Sequence, residues 1–183
     1  YIASQIVVAV QGLVTRRTSP TEPVIIGIGK LNAGTTYNAV AAFAEMEGTT
    51  RTISQESRDR VRAQVSETAQ SIAALYGGTA EVEWTDFAAA LVNDPQVCEE
   101  AARVVDELLG AGHVVTDREL SLSGDNFAEF ELYKPGAYAY LGTGNPDLPH
   151  TMITNHNGGF DVDENALVTG AGLYVGYTVA RLG

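Results

Sequence analysis

Two helical stripes with a pair of strand-like runs between them constrain this chain more than any single residue does. Ile2, Ile6, Val10 and Leu13 recur at helical spacing, with no capping residue or starting methionine ahead of them. That pattern suggests a helix entered from within, and so a piece of something longer. Ser19-Pro20-Thr21-Glu22-Pro23 is a turn signal. Val24-Ile25-Ile26-Gly27-Ile28-Gly29 then reads as a strand buried on both faces, broken at Asn32-Ala33-Gly34. Residues 42–52 alternate and carry Phe43, Met46 and Arg51, which predicts a second strand. Ser54 can cap a helix striped by Val61, Val65, Ile72 and Tyr76, and Gly77-Gly78 can end it. Residues 79–87 alternate again, with Ala80, Val82 and Trp84 on one face and Glu81, Glu83 and Thr85 on the other. Helix, strand, strand, helix, strand is a split βαβ arrangement lacking its first strand. Two helices over three strands leave an open edge, which again points to further sequence upstream.

The second half opens at Asp94, a cap, with Pro95 in the first helical turn. Val97, Ala101, Val104, Val105 and Leu108 form the stripe of that helix, and Gly110 closes it. Residues 136–142 predict a short strand rich in tyrosine, and Asn145-Pro146-Asp147 a turn. Asp163-Glu164 supplies the acidic start of a last helix. Gly170, Gly172 and Gly176 give that helix a small-residue face, which admits close approach of another element. Its apolar run falls short of the ~20 residues a bilayer crossing needs and is interrupted by Thr169 and Arg181. It reads as a buried core helix.

At 183 residues and 45% hydrophobic, the chain can bury a core of one domain or two small ones. Its net charge of -12 argues against sequence-independent nucleic-acid binding, which needs clustered Lys and Arg, and against an anionic membrane surface. Cys98 is the single cysteine, so no internal disulfide forms, which fits a reducing compartment. In a helix beside Glu99 and Glu100, it reads as a small buried apolar residue. No secretory segment is visible, and a cytoplasmic location is expected.

Three histidines are available. His113 follows a helix in Gly110-Ala111-Gly112-His113, and His150 follows Pro149 in a loop. His156 lies in Asn155-His156-Asn157-Gly158-Gly159-Phe160-Asp161-Val162-Asp163-Glu164. An imidazole in a glycine-bearing loop suits a transition metal, while a solvated loop histidine is the plain alternative. One histidine is not a metal site. No Ser-His-Asp or Cys-His arrangement is legible, and the short glycine pairs are too brief for phosphate loops. Asn38 closes a turn, Gly34-Thr35-Thr36-Tyr37-Asn38, and could bond only its own backbone. Arg51 could pair with a glutamate across the sheet. Together the amide and the guanidinium could instead receive a substrate carboxylate.

Several segments resemble, in order, the C-terminal half of the hippurate hydrolase and auxin-conjugate hydrolase group. That group lies within the aminoacylase and carboxypeptidase family of dinuclear metal amidohydrolases. The similar segments run from Ile6-Val7-Val8-Ala9-Val10-Gln11 to Arg16, then Gly29-Lys30 with Gly34-Thr35-Thr36-Tyr37-Asn38, and Glu47-Gly48-Thr49-Thr50-Arg51-Thr52. Pro135-Gly136-Ala137 with Leu141-Gly142, and His156 to Asp163-Glu164 with Ala166-Leu167, complete the series. The resemblance implies an α/β enzyme with an α+β lid. Residues 1–86 would be a ferredoxin-like split-βαβ lid and dimerisation domain lacking its first strand. Residues 87–183 would be the C-terminal portion of an α/β metallopeptidase-like catalytic domain. By the same resemblance His156 matches the last metal ligand, and Asn38 and Arg51 match lid residues that grip a substrate carboxylate.

The implied activity is hydrolysis of the amide bond of N-acyl amino acids or related conjugates. Two divalent ions (zinc, manganese or cobalt) would polarise the carbonyl and activate a water, with a glutamate as base. The remaining ligands, that glutamate and a lid histidine would all lie upstream of Tyr1, so residues 1–183 alone are expected to be inert. A homodimer through the lid is also implied. The chain departs from the family pattern at Gly124-Asp125-Asn126-Phe127, where Ser-Glu-Asp-Phe is usual, and at Ala39-Val40-Ala41, where Val-Ile-Pro is usual. The first change alters the carboxylates expected beside the metals. A non-enzymatic dimerisation or small-ligand module, or a hydrolase relative that has lost activity, are the competing readings.

Overall fold

Helix α1 (Ile2–Arg16) turns Ala3, Ile6, Val10 and Leu13 inward, as its stripe requires. The chain then forms an antiparallel hairpin of β1 (Ile25–Ala33) and β2 (Ala44–Arg51), the only strands of its sheet. Register runs from Ile25 opposite Arg51 to Ala33 opposite Ala44, with a bulge between Ile28 and Lys30. Gly48 is required there: a Cβ on it would stand 2.4 Å from the Gly27 carbonyl oxygen. Helix α2 (Gln55–Leu75) starts at Ser54, whose hydroxyl accepts from the Ser57 N–H at 3.1 Å. Caps of this kind contribute about 1 kcal/mol. Gly77, at φ +76°, turns the chain out of the helix while the Gly78 N–H donates to the Ala73 carbonyl at 2.8 Å.

The computed structural model describes residues Tyr1–Gly183. They divide into two compact units, Tyr1–Leu91 with Ser121–Glu129, and Val92–Leu120 with Phe130–Gly183. In the first unit, Ile6, Val10 and Leu13 of α1 and Val61 and Ala69 of α2 bury one cluster with Val24 and Ile26. Burial on both faces of β1 is not observed. Ile26 alone of the strand is buried, because the two helices cover a single face of the hairpin.

The expected third strand is absent. Residues 79–87 make no ladder, and the sheet consists of β1 and β2. Their alternation is nonetheless obeyed. Ala80 and Val82 pack on the core, and the Trp84 Nε1–H donates to Ser66 Oγ at 3.1 Å. The Arg62 guanidinium lies 5.5 Å over the Trp84 ring, and Arg58 and Arg62 both bond Asp86. Side chains therefore hold this segment where a ladder was anticipated.

The second unit begins with α3 (Pro95–Leu109), capped by Asp94, whose carboxylate accepts from the Val97 N–H at 3.0 Å. Gly110 at φ +83° closes it. Residues 136–142 form no strand; the Asn93 side chain instead pairs with Tyr138, donating to its carbonyl and accepting from its N–H. A short helix α4 (Phe127–Glu131) starts within the Ser121–Glu129 segment of the first unit, and in the second unit a 3₁₀ turn (Pro149–Met152) precedes α5 (Asn165–Leu182).

The glycine face of α5 does admit close packing. Cβ atoms at Gly176, Gly172 and Gly170 would fall 2.9 Å from Val104, 3.1 Å from Leu108 and 3.0 Å from Leu141. The expectation of a buried core helix is corrected, however. No residue of α5 is buried, and Leu167, Val168, Tyr174, Val175 and Val179 are exposed, because within this unit only its glycine face is covered. Cys98 is likewise half-buried rather than buried. No helix is long and apolar enough to cross a membrane.

Candidate functional site

The hairpin fixes where the two proposed carboxylate-binding residues stand. Arg51 is the last residue of β2, opposite Ile25. Asn38 lies in the exposed loop that joins the other ends of the strands, where Thr36 Oγ1 donates to Asn38 Oδ1 at 2.8 Å. At about 3.3 Å per residue, β2 alone spans roughly 23 Å. Asn38 and Arg51 thus occupy opposite ends of one hairpin and are not brought together in this unit. The Arg51 guanidinium donates from Nη1 to the Leu122 carbonyl at 2.8 Å, which leaves further N–H donors of its fork.

His156 occupies the exposed loop between the 3₁₀ turn and α5. It is the one non-glycine residue with positive φ, at 62°. Such a conformation costs about 1–2 kcal/mol outside glycine and persists only where the surroundings over-determine it. Two bonds brace the residues that follow His156. The Gly159 N–H donates to Asn157 Oδ1 at 2.9 Å and the Phe160 N–H to the Asn157 carbonyl at 3.0 Å. A Cβ on Gly159 would meet Ile153 at 3.3 Å. His150 Nε2 stands 3.7 Å from Asp161, facing it across the loop.

The base of the loop is a polar network built on Asn145 and Asp163. In sequence Asn145 belongs to a turn signal and Asp163 to an acidic helix start, and nothing there pairs them. In the structure the Asn145 amide donates to Asp163 Oδ2 at 2.7 Å. Asp163 Oδ1 accepts from the Asn165 N–H at 3.0 Å and its side chain at 2.9 Å. These bonds, the Asn145 amide foremost and then the Asn165 N–H, hold the Asp163 carboxyl below the usual carboxylate range. Only the Asn-Pro-Asp turn hints at this in sequence, because the partners are 18 residues apart.

A metal needs three or four convergent donors, and no group of three or more His, Cys, Asp or Glu side chains converges anywhere in these residues. His156 belongs to no such group. His113 is tied to its own helix end, its Nδ1 at 3.0 Å from the Gly110 carbonyl oxygen. Shallow depressions lie at the β1–β2 bulge and beside Asn93 and Tyr133, and neither includes Asn38, Arg51 or His156.

No family model matches the chain. It is 32% identical over 172 residues to thermostable carboxypeptidase 1 of Saccharolobus solfataricus, covering 93% of this chain and 42% of that one. It is 32% identical over 166 residues to the N-acetyl-L-cysteine deacetylase of Bacillus subtilis, covering 91% and 38%. A Bacillus subtilis dinuclear metal binding peptidase from the M20 family superposes with a TM-score of 0.79 at 27% identity, over 98% of this chain and 45% of that structure. The homologues of this chain are M20 amidohydrolases. A methicillin-resistant Staphylococcus aureus protein superposes with a TM-score of 0.85 at 25% identity, again over 98% of this chain. The α/β fold, with its helix pair on a small sheet, is therefore that of M20 proteins, and the chain spans about two fifths of the length of its curated relatives. These relatives include an N-acetyldiaminopimelate deacetylase of Geobacillus, at 26% identity over 91% of this chain and 44% of that one.

Proposed function

We propose that this chain is the lid and returning catalytic portion of a metal-dependent amidohydrolase that cleaves N-acyl amino acids or related conjugates. Residues 1–86 would form the lid, and residues 87–183 part of the catalytic domain. The observation that carries the reading is His156: an exposed imidazole held in a left-handed backbone by a braced loop, in a chain whose relatives are carboxypeptidases and deacetylases. His156 is assigned as one ligand of a divalent-metal pair, whose other ligands and general base lie outside residues 1–183. Zinc, manganese or cobalt would suit such a site. When bound, the metal pair would polarise the scissile carbonyl.

Arg51 and Asn38 are assigned to the substrate carboxylate, which is positioning rather than bond-breaking. Their separation along the hairpin supports a homodimer through the lid, in which both residues would reach one substrate. The exposed apolar face of α5 also suits a helix that packs on further protein. A location in the cytoplasm and the narrower hippurate or auxin-conjugate substrate class belong to the same proposal.

Release of free amine from N-acetyl amino acids, with added zinc, manganese or cobalt, tests it. The complete protein is expected to turn over and residues 1–183 alone to be inert. Turnover by residues 1–183 would refute the ligand count. An inert complete protein that still dimerises would favour the non-enzymatic module.

A further inference from the structure

We infer that Asn145 is a positioning residue for His156, acting as a clasp that joins both ends of the loop carrying it. The inference deepens the reading of His156 as a metal ligand and rests on it. Two groups of the same residue reach the two ends. The Asn145 backbone N–H donates to Thr151 Oγ1 at 2.8 Å, where the loop begins. The Asn145 side-chain amide donates to Asp163 Oδ2 at 2.7 Å, where the loop ends.

Each anchor is itself immobilised. Thr151 is buried, one of two buried polar residues in the chain, and its hydroxyl donates onward to the Leu148 carbonyl at 2.8 Å. The Asp163 N–H donates to the Thr143 carbonyl at 2.9 Å, and its carboxylate accepts two bonds from Asn165 at the start of α5. Asn145 is in turn oriented by the Asp147 N–H, which donates to its Oδ1 at 3.0 Å. Residues 151–163 are thereby a closed loop with one residue as its buckle.

A ligand must be held within roughly half an ångström of its productive position by groups that are themselves fixed. An exposed loop does not meet that demand unless its ends are fastened, and His156 sits in mid-loop in a strained backbone region. Opening the clasp should free the loop and relax His156 out of its left-handed conformation. Partners beyond the direct ligands typically support metal affinity by about 10–100-fold.

The experiment uses the complete protein and compares Asn145→Asp, Asn145→Ala and the exchange Asn145→Asp with Asp163→Asn. The first variant removes the donor and sets two carboxylates face to face. The exchange restores one donor and one acceptor with the original total charge. Zinc affinity is read by competition with a chelator, loop mobility by amide hydrogen exchange over residues 152–162, and stability by the thermal midpoint.

Zinc affinity is expected to fall at least about tenfold in both single variants, with faster loop exchange, and to return in the exchange variant. Unchanged zinc affinity and loop exchange with a lowered midpoint would overturn the inference, leaving Asn145 a structural cap. Recovery of the midpoint without recovery of affinity in the exchange variant would overturn it too. His156→Ala separates the two claims. If that variant binds zinc as the parent does, the ligand reading fails, while the loop exchange of Asn145→Ala still decides whether the clasp exists.

Discussion

Adding one methyl group at different glycines should produce opposite effects on stability, because the helices surround them differently. Gly12 lies inside α1 with nothing within 4 Å of where a Cβ would stand. Gly12→Ala therefore receives the helix-propensity gain without hindrance, about 0.5–1 kcal/mol. Gly176 in α5 carries the same propensity term, but its Cβ would stand 2.9 Å from Val104 Cγ1. Carbon atoms prefer about 3.5–4.0 Å, so α3 and α5 must part or the buried Val104 must leave its rotamer. Overpacking of this kind costs about 1–3 kcal/mol, which exceeds the propensity gain and leaves Gly176→Ala destabilised by roughly 0.5–2 kcal/mol. Gly172→Ala and Gly170→Ala should fall near zero, since the flexible ends of Leu108 and Leu141 can yield. Urea unfolding followed by far-UV circular dichroism measures the free energies, and hydrogen exchange in α1 and α5 assigns them to each unit. Combining Gly176→Ala with Val104→Ala should recover about 1 kcal/mol relative to the sum of the single changes. A Gly176→Ala chain as stabilised as Gly12→Ala would refute the packing argument.

Two further predictions concern the first unit. Glu22 is held below the ordinary glutamate range by the Ser57 hydroxyl first and then by Arg60. A carboxyl with a lowered folded pKa adds stability above its unfolded value of about 4.3 and loses it as pH falls through the folded value. Glu22→Gln should therefore flatten the acid limb of the stability curve, and an unaltered limb would show that Glu22 plays no part in it. Asp86 receives both Arg58 and Arg62, so Asp86→Ala should loosen residues 79–87 and raise acrylamide quenching of Trp84 while the helical signal stays constant. Unchanged quenching would mean that the Trp84–Ser66 bond and the half-buried Ala80 and Val82 suffice.

Helix starts were legible because their causes are local. Ser54 and Asp94 announce themselves as caps and bond the N–H groups three residues on. The close-packing face of α5 was legible too, since only glycine omits a Cβ. The alternation of residues 79–87 told correctly which side chains face the core but not whether a strand stands alongside, for pairing depends on a partner that alternation does not encode. Apolar content in α5 was read as burial, yet a helix is buried only where neighbours cover it. The Asn145 clasp was illegible because its partners are distant in sequence and its residue types are ordinary in turns. The left-handed backbone of His156 was not legible. The flanking Asn155, Asn157 and Gly158 are common in such turns without specifying which residue adopts it.

Metal analysis of the complete protein, purified with saturating zinc and compared with His156→Ala, bears most directly on the assignment of His156 as a metal ligand. Two divalent ions per chain are predicted for the parent, with the variant losing at least one of them together with hydrolysis of N-acetyl amino acids. Two ions retained in the variant, with hydrolysis intact, would contradict the assignment.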